Sequence, residues 1–395
     1  MSKDLASDKS TFIPGRGSPI LHVITALPTG GAEMMLFKLI SATRGEWPQV
    51  VVSLGKIGRI GRLISDLGVP VYPVDYGGLV PKPLRLFGLI SLVRRLRPRL
   101  MVGWLYHGNA AASLAASVCG GSIPVVWNIR QSLYDLEVED WTTAKLIRLS
   151  ARLSRKAEAV IYNSQISAPQ HEALGYCAVN RVVIPNGFDC RQFLPDADAR
   201  QRIRAELGLP EDAIVVGLTA RYHPMKDHRN FFQAAGMIAQ RYPSARFLLV
   251  GSGTTNQEPG LRKLIAEHQL ANRVLLLGDR ADMPALTASL DIACSASAWG
   301  EGLSNAVGEA MACGVPCVVT DVGDSARLVG ETGVIVPAKD SQALANAFSR
   351  LIEAGPSGRR RLGDAARLRI ETEFSLDRVA QRYIEVYQEH ITNNR

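Results

Sequence analysis

Seven short apolar runs, separated from one another by ten or more helix-compatible residues, constrain the fold of this chain more than any other feature. From Pro19 they read PILHVIT, QVVVS, VPVYPV, LMVGWL, PVVWNI, AVIYNS and RVVIP. Strands alternating with helices in this way make βαβ units and a mainly parallel, doubly wound sheet. The pattern resumes at Ala213 with AIVVGLT and continues through FLLV and VLLL. A chain of 395 residues is long enough for two or three domains with a large buried core.

The most informative stretch runs from Asp291 to Asp321, DIACSASAWGEGLSNAVGEAMACGVPCVVTD. It predicts a strand over 291–295, a small-residue loop over 296–302, a helix over 303–313, a Gly-Val-Pro break and a strand over 316–320. In such a unit a ligand lies at the carboxyl ends of the strands, where the helix N-terminus offers free N–H groups and partial positive charge to an anion. Glu301 sits in the loop, and Glu309, eight positions on, is the only charged residue between Leu303 and Cys313. A lone carboxylate in an apolar helix carries a desolvation cost unless something hydrogen-bonds it. Taken alone it reads equally well as a side chain turned to water. Gly300, Gly302 and Gly308 tip the balance toward a site, because glycine lets backbone approach a ligand or a neighbouring strand.

Glu301-Gly302, six further residues and then Glu309-Ala310-Met311-Ala312-Cys313-Gly314-Val315-Pro316 resemble the E-x7-E signature of the retaining GT-B glycosyltransferases (glycosyltransferase family 4-like, group 1). That large family includes sucrose, mannosyl and lipopolysaccharide transferases. The resemblance implies a GT-B fold: two Rossmann-like, doubly wound parallel-sheet domains facing a central cleft. It divides the chain into a disordered tail (1–17), an acceptor-binding domain (18–187) and a nucleotide-sugar-binding domain (188–374). A C-terminal helix (375–395) then crosses back to brace the first domain. Ile184-Pro185-Asn186-Gly187-Phe188-Asp189 resembles the family's crossing between domains, and Pro with Asn-Gly is turn chemistry in its own right. The implied activity is transfer of a hexose-type sugar from a UDP- or GDP-sugar to a hydroxyl of a glycan or lipid-linked acceptor, in cell-surface polysaccharide biosynthesis. The alternatives are a non-catalytic sugar-nucleotide-binding protein and a GT-B sugar-nucleotide epimerase.

Glycosyl transfer from a sugar nucleotide builds negative charge on the departing diphosphate, so the site needs fixed positive charge there. Arg221 and Lys226, on the loop after AIVVGLT, can converge on one diphosphate. The family shows G-R-x-x-x-x-K here, and this chain has Ala220 in place of the glycine. The helix N-terminus at Leu303 and Ser304, entered through Gly302, adds to that charge, so no metal ion and no cofactor are expected. Glu301 is expected to accept hydrogen bonds from hydroxyls of the donor sugar and Glu309 from those of the ribose, since a two-pronged carboxylate suits a vicinal diol. The resemblance adds two donor-side candidates: Gly251, in a Gly-x-Gly turn close to the nucleotide, and Arg280, stacking on the base.

In the first half, Gly30 and Gly31 open a helix directly after the first strand and offer backbone to a phosphate or an acceptor. The G-x-G-x-x-G fingerprint of dinucleotide binding is not present there, which disfavours a dehydrogenase. His107 and Arg130 lie at strand carboxyl ends, where ligand contacts concentrate. Many relatives carry a histidine in the neighbourhood of Arg130. Its role therefore falls to His107, to Arg130 holding an anionic acceptor group, or to neither. Asn163, after the sixth strand, is a further acceptor-side candidate.

A net charge of +8 favours an anionic partner and admits peripheral association with an anionic membrane at its inner face. Nucleic acid is the weakest partner, for want of a basic stripe with interleaved aromatics. The stretch KPLRLFGLISLVRRLRPRL from Lys82 fits a membrane-surface helix, or, as the preferred reading, an ordinary helix packed on the sheet with a solvated basic face. Asp196-Ala197-Asp198 imitates a metal-binding D-x-D but precedes ARQRIRAELG and reads as a helix cap. Six scattered cysteines without a C-x-x-C pair read as small buried thiols. With a polar start, MSKDLASDKS, and no apolar run of 18 residues, the expected compartment is the cytoplasm.

Overall fold

The computed structural model describes residues 17–74, 82–133, 136 and 141–392. The expected tail over 1–17 lies outside the described residues except for Gly17, as do the last three residues of the expected C-terminal helix.

Each apolar run of the first half forms a strand. The order is β1 (Ile20–Ile24), α1 (Gly31–Thr43), β2 (Gln49–Ser53), α2 (Arg59–Asp66), β3 (Val71–Pro73), α3 (Lys82–Leu96), β4 (Leu100–Trp104), α4 (Leu105–Val118), β5 (Val125–Ile129), α5 (Trp141–Leu153), β6 (Ala159–Tyr162), α6 (Ser167–Ala173) and β7 (Arg181–Val183). These strands make one parallel sheet in the order β3-β2-β1-β4-β5-β6-β7. Every residue of β1, β2, β4 and β5 is buried, as strands covered by helices on both faces must be.

The chain then repeats the plan with α7 (Ala197–Glu206), β8 (Ile214–Thr219), α8 (His228–Arg241), β9 (Ala245–Val250), α9 (Pro259–Glu267), β10 (Val274–Leu276) and α10 (Met283–Ala288). It continues through β11 (Ile292–Ser295), α11 (Asn305–Ala312), β12 (Cys317–Thr320), α12 (Ser325–Val329), β13 (Val334–Val336), α13 (Ser341–Glu353) and α14 (Gly355–Arg369). The second sheet is again parallel, in the order β10-β9-β8-β11-β12-β13. Strand order reverses at β1/β4 in the first sheet and at β8/β11 in the second. At such switch points the carboxyl-end loops diverge and open a crevice.

A last helix, α15 (Leu376–Thr392), buries Val379, Ala380, Tyr383 and Tyr387 in the same core as Ile20, Leu36 and Trp104 of the first sheet. The outgoing and returning chains pair where they cross: Phe188 N donates to Phe374 O at 2.9 Å and Leu376 N to Phe188 O at 2.8 Å. The fully buried Phe188 ring explains the glycine in α11, since a Cβ on Gly308 would lie 2.1 Å from it.

α3 packs on the sheet through Leu89 and Val93 and keeps Arg94 and Arg95 exposed, the ordinary packed helix with a solvated basic face. Among the described residues no helix is long and apolar enough to cross a membrane. The D-x-D triplet is a helix start: Asp196 caps α7 by accepting from Ala199 N at 2.8 Å. One element departs from the sequence reading: β13, three residues long, was not anticipated. Gly355, at φ +67°, separates α13 from α14.

Candidate functional site

The β8/β11 switch point is built from two loops that bond to each other. β8 exits through Ala220 and Arg221 into a single helical turn, Pro224–Lys226. Asp227, in the left-handed region at φ +45°, then caps α8 by accepting from Asn230 N at 3.1 Å. On the other side, Ala298 N donates to Met225 O at 2.8 Å. These contacts bring the Lys226 ammonium onto Glu301 Oε1, which also accepts from Ser297 Oγ at 2.8 Å. The pair is mostly buried, with side-chain exposures of 18% and 10%. Gly251 holds the loop from behind: at φ +139° its missing Cβ would lie 2.5 Å from Ala220 O, a place only glycine fills.

Arg221, by contrast, is exposed and makes no hydrogen bond or ion pair to another described residue. His223 lies between the two cations. Partial burial, and then the charges of Arg221 and Lys226, hold its imidazole below the ordinary histidine pKa. The loop therefore presents surplus positive charge at a strand carboxyl end.

The N-terminus of α11 adds to that charge. Its cap residue Ser304 makes no side-chain capping bond, so the first-turn N–H groups are not taken by it. α1 starts at the same place from the other sheet: a Cβ on Gly31 would lie 3.3 Å from Asn305 Nδ2. Two helix N-termini, one from each sheet, thus meet beside Lys226–Glu301, with Gly30 as the cap of α1. Asn186, on the crossing segment, ties this junction by donating to Asn305 Oδ1 at 2.8 Å and Leu303 O at 3.1 Å. Asn163 reaches the same point, since a Cβ on Gly302 would lie 2.8 Å from its carboxamide. Its Nδ2 donates to Arg130 O at 3.2 Å, while its buried Oδ1 has no partner among the described residues.

Other expected residues are engaged differently from the sequence reading. Glu309 is not turned to water: its Oε1 accepts from Lys38 Nζ of α1 at 3.0 Å. Arg130 is committed at the hinge, donating to Tyr383 Oη at 2.9 Å and to Asn186 Oδ1, with its guanidinium 5.7 Å from the Trp104 ring. Arg280 forks onto Asp282 at 2.8 and 2.6 Å and onto Glu206 at 2.8 Å, hydrogen bonds that push its pKa up. Those carboxylates hold the guanidinium by its edge, not by the planar face on which a base would stack. His107 is exposed in the first turn of α4, at the carboxyl end of β4.

Three residues escaped the sequence reading. Lys38 carried a signal: in MMLFKLIS it is the one charge in an apolar stretch of its helix, much as Glu309 is in α11. Ser297 and Asp324 carried none. Asp324, 4% exposed, accepts from Gln165 N at 2.7 Å and Ile166 N at 3.1 Å, while its own N–H donates to Gly302 O at 2.8 Å. It latches the loop after β6 to the segment carrying Glu301.

Two parallel α/β sheets, each with its own switch point, make the architecture of the GT-B fold. Residues 213–354 match the family model described as glycosyl transferases group 1, and residues 30–187 match the glycosyl transferase 4-like domain. The chain belongs to the group 1 glycosyltransferases of the GT-B fold. It is 30% identical over 246 residues to the lipopolysaccharide core biosynthesis mannosyltransferase LpsB of Rhizobium meliloti (strain 1021), covering 60% of this chain and 67% of that protein. It is also 30% identical over 316 residues to the phosphatidyl-myo-inositol mannosyltransferase of Mycobacterium tuberculosis, covering 73% of this chain and 77% of that one. The crystal structure of Anabaena HepE in complex with UDP has a TM-score of 0.82 at 25% identity, covering 94% of this chain and all of that chain (100%). The same protein in complex with UDP-glucose gives 0.81 at 25% identity, covering 94% and 99%.

Proposed function

We propose that this glycosyltransferase moves a hexose-type sugar from a UDP- or GDP-sugar to a hydroxyl of a glycan or lipid-linked acceptor, in the assembly of cell-surface polysaccharide. Transfer retains the anomeric configuration and uses no metal ion. What supports the reading is the Lys226–Glu301 pair just before the start of α11, with Arg221 exposed on the same loop as Lys226. The substrate class is supported by the relatives, two of them mannosyltransferases and one crystallised with UDP-glucose.

The anomeric C–O bond breaks as negative charge grows on the leaving diphosphate, and Arg221, Lys226 and the helix N-terminus stabilise that charge without reorganising. Fixed charges aimed there supply what a divalent cation would otherwise supply. Glu301, held by Lys226 and Ser297, accepts from hydroxyls of the donor sugar. Glu309 accepts from the ribose with the oxygen that Lys38 leaves available. The acceptor oxygen bonds to the anomeric carbon on the face the diphosphate leaves, and its proton passes to the departing phosphate oxygen. Asn163 and His107 face the acceptor, Asn163 with an unpartnered carboxamide oxygen. The basic face of α3, with Phe87 66% exposed, fits peripheral association with an anionic membrane at its cytoplasmic side.

The experiment is a transfer assay with radiolabelled UDP- and GDP-hexoses and a lipid-linked glycan extract. Label moving to the lipid fraction, with an α-linked product from an α-linked donor, supports the reading. An inverted product sinks the retaining mechanism, and binding without transfer from any donor sinks the enzyme reading.

A further inference from the structure

A second cleft adjoins the β8 loop and is lined on that side by His223, Pro224 and Asp227. Its volume is about 610 Å³, and none of Arg221, Lys226 and Glu301 lines it. It is bounded by the start of α8, by α9 and by the loop carrying Trp299, with Arg229, Lys263 and Lys339 around it. All three cations are exposed. Lys339 Nζ lies 5.8 Å from the Trp299 ring, and Lys263 has only a loose 3.8 Å contact with Glu267.

Two polar side chains that line this cleft are each 3% exposed and find no hydrogen-bond partner among the described residues. One is His228, with neither ring nitrogen bonded; the other is Asn230, with neither carboxamide atom bonded. Buried polar groups are normally satisfied, and leaving one unsatisfied costs about 1–3 kcal/mol. Burial, and then the Lys226 charge, lowers the His228 pKa to about 4, so near neutral pH the ring offers one donor and one acceptor. Asn230 also offers both. Groups that each donate and accept match sugar hydroxyls, which do the same, and an indole face suits the apolar face of a pyranose. The surrounding cations add a preference for negative charge.

We propose that this cleft is a second carbohydrate site that takes an acidic sugar unit of an extended glycan. The choice of a saccharide over a planar aromatic anion rests on the transferase reading, since a growing glycan is what such an enzyme must keep hold of. Held there, a glycan would be retained beside the donor loop between rounds of transfer.

The test is calorimetric titration of the full chain with a glucuronate-containing tetrasaccharide, with a neutral maltotetraose and with UDP. The expected result is binding of the acidic tetrasaccharide at least about ten-fold tighter than that of the neutral one. Lys263→Ala together with Lys339→Ala, both exposed and so safe for folding, weakens it by at least about ten-fold and leaves UDP affinity unchanged. Asn230→Ala weakens both oligosaccharides. Lys226→Ala leaves tetrasaccharide binding intact. Equal affinity for acidic and neutral sugars, no binding of either, or competition by UDP overturns the proposal. A protein that transfers sugar yet binds no oligosaccharide here loses this site alone; one that binds the tetrasaccharide but turns over no nucleotide sugar loses the transferase reading alone.

Discussion

Lys38 and Glu309, 271 positions apart, meet at 3.0 Å across the boundary between the two sheets, with the lysine 7% exposed. The ammonium also lies 5.9 and 5.8 Å from the rings of Phe188 and Phe193, on the segment where the chain crosses over. A carboxylate expected to meet the nucleotide is thus held in place by the opposite domain.

Removing that lysine leaves Glu309 unpaired in a mostly buried place. Lys38→Met is expected to cost about 2 kcal/mol, below the full penalty of breaking a buried pair because Glu309 keeps some contact with water. The Michaelis constant for the donor should rise more than turnover falls, since the grip on the nucleotide changes rather than the charge on the leaving group. Denaturant titration and steady-state kinetics check both parts, and wild-type values in each would dismiss the role given to Lys38.

Lys226→Ala removes fixed charge from the leaving diphosphate. Turnover should drop by about 100-fold or more while the fold survives, the scale for losing one charge-stabilising donor. Near-normal turnover in a correctly folded variant contradicts the mechanism.

Gly308→Ala would drive a methyl group into the Phe188 ring, 2.1 Å away before relaxation. Overpacking of this kind costs about 1–3 kcal/mol. Because Phe188 pairs with both Phe374 and Leu376, the loss should appear as a lower melting temperature, together with easier proteolysis at the crossing. A variant as stable as the parent would mean that the crossing yields more readily than its packing indicates.

Stability should fall on acidification. Burial lowers His22, His171 and His228 to about 4 from an ordinary 6.5. Between those values the unfolded chain binds protons that the folded chain does not, so the folded state gains as pH rises. This contribution is complete above about 6.5 and is lost as pH falls toward about 4. A melting temperature unchanged between about pH 7.5 and about pH 5 contradicts the assignment.

Most of the fold was legible because strands buried on both faces are written as unbroken apolar runs; β13 was not anticipated, although it is no shorter than β3, β7 and β10. For the site, the lone charge of Glu309 announced that it needed a partner, and the same signal marked Lys38. Nothing local joined two residues on helices so far apart in sequence. Arg130 read as a ligand contact from its place at a strand end, but α15 returns and offers Tyr383, which only the tertiary structure supplies. Asn186 read as turn chemistry and Asp324 carried no signal, and the reach of both across the cleft depends on how the sheets are docked.

The most direct measurement is a crystal structure of this chain soaked with uridine or guanosine diphosphate. The account predicts the pyrophosphate between Arg221, Lys226 and the first N–H groups of α11, with Glu309 on the ribose. A nucleotide bound elsewhere, or a diphosphate untouched by both cations, contradicts it.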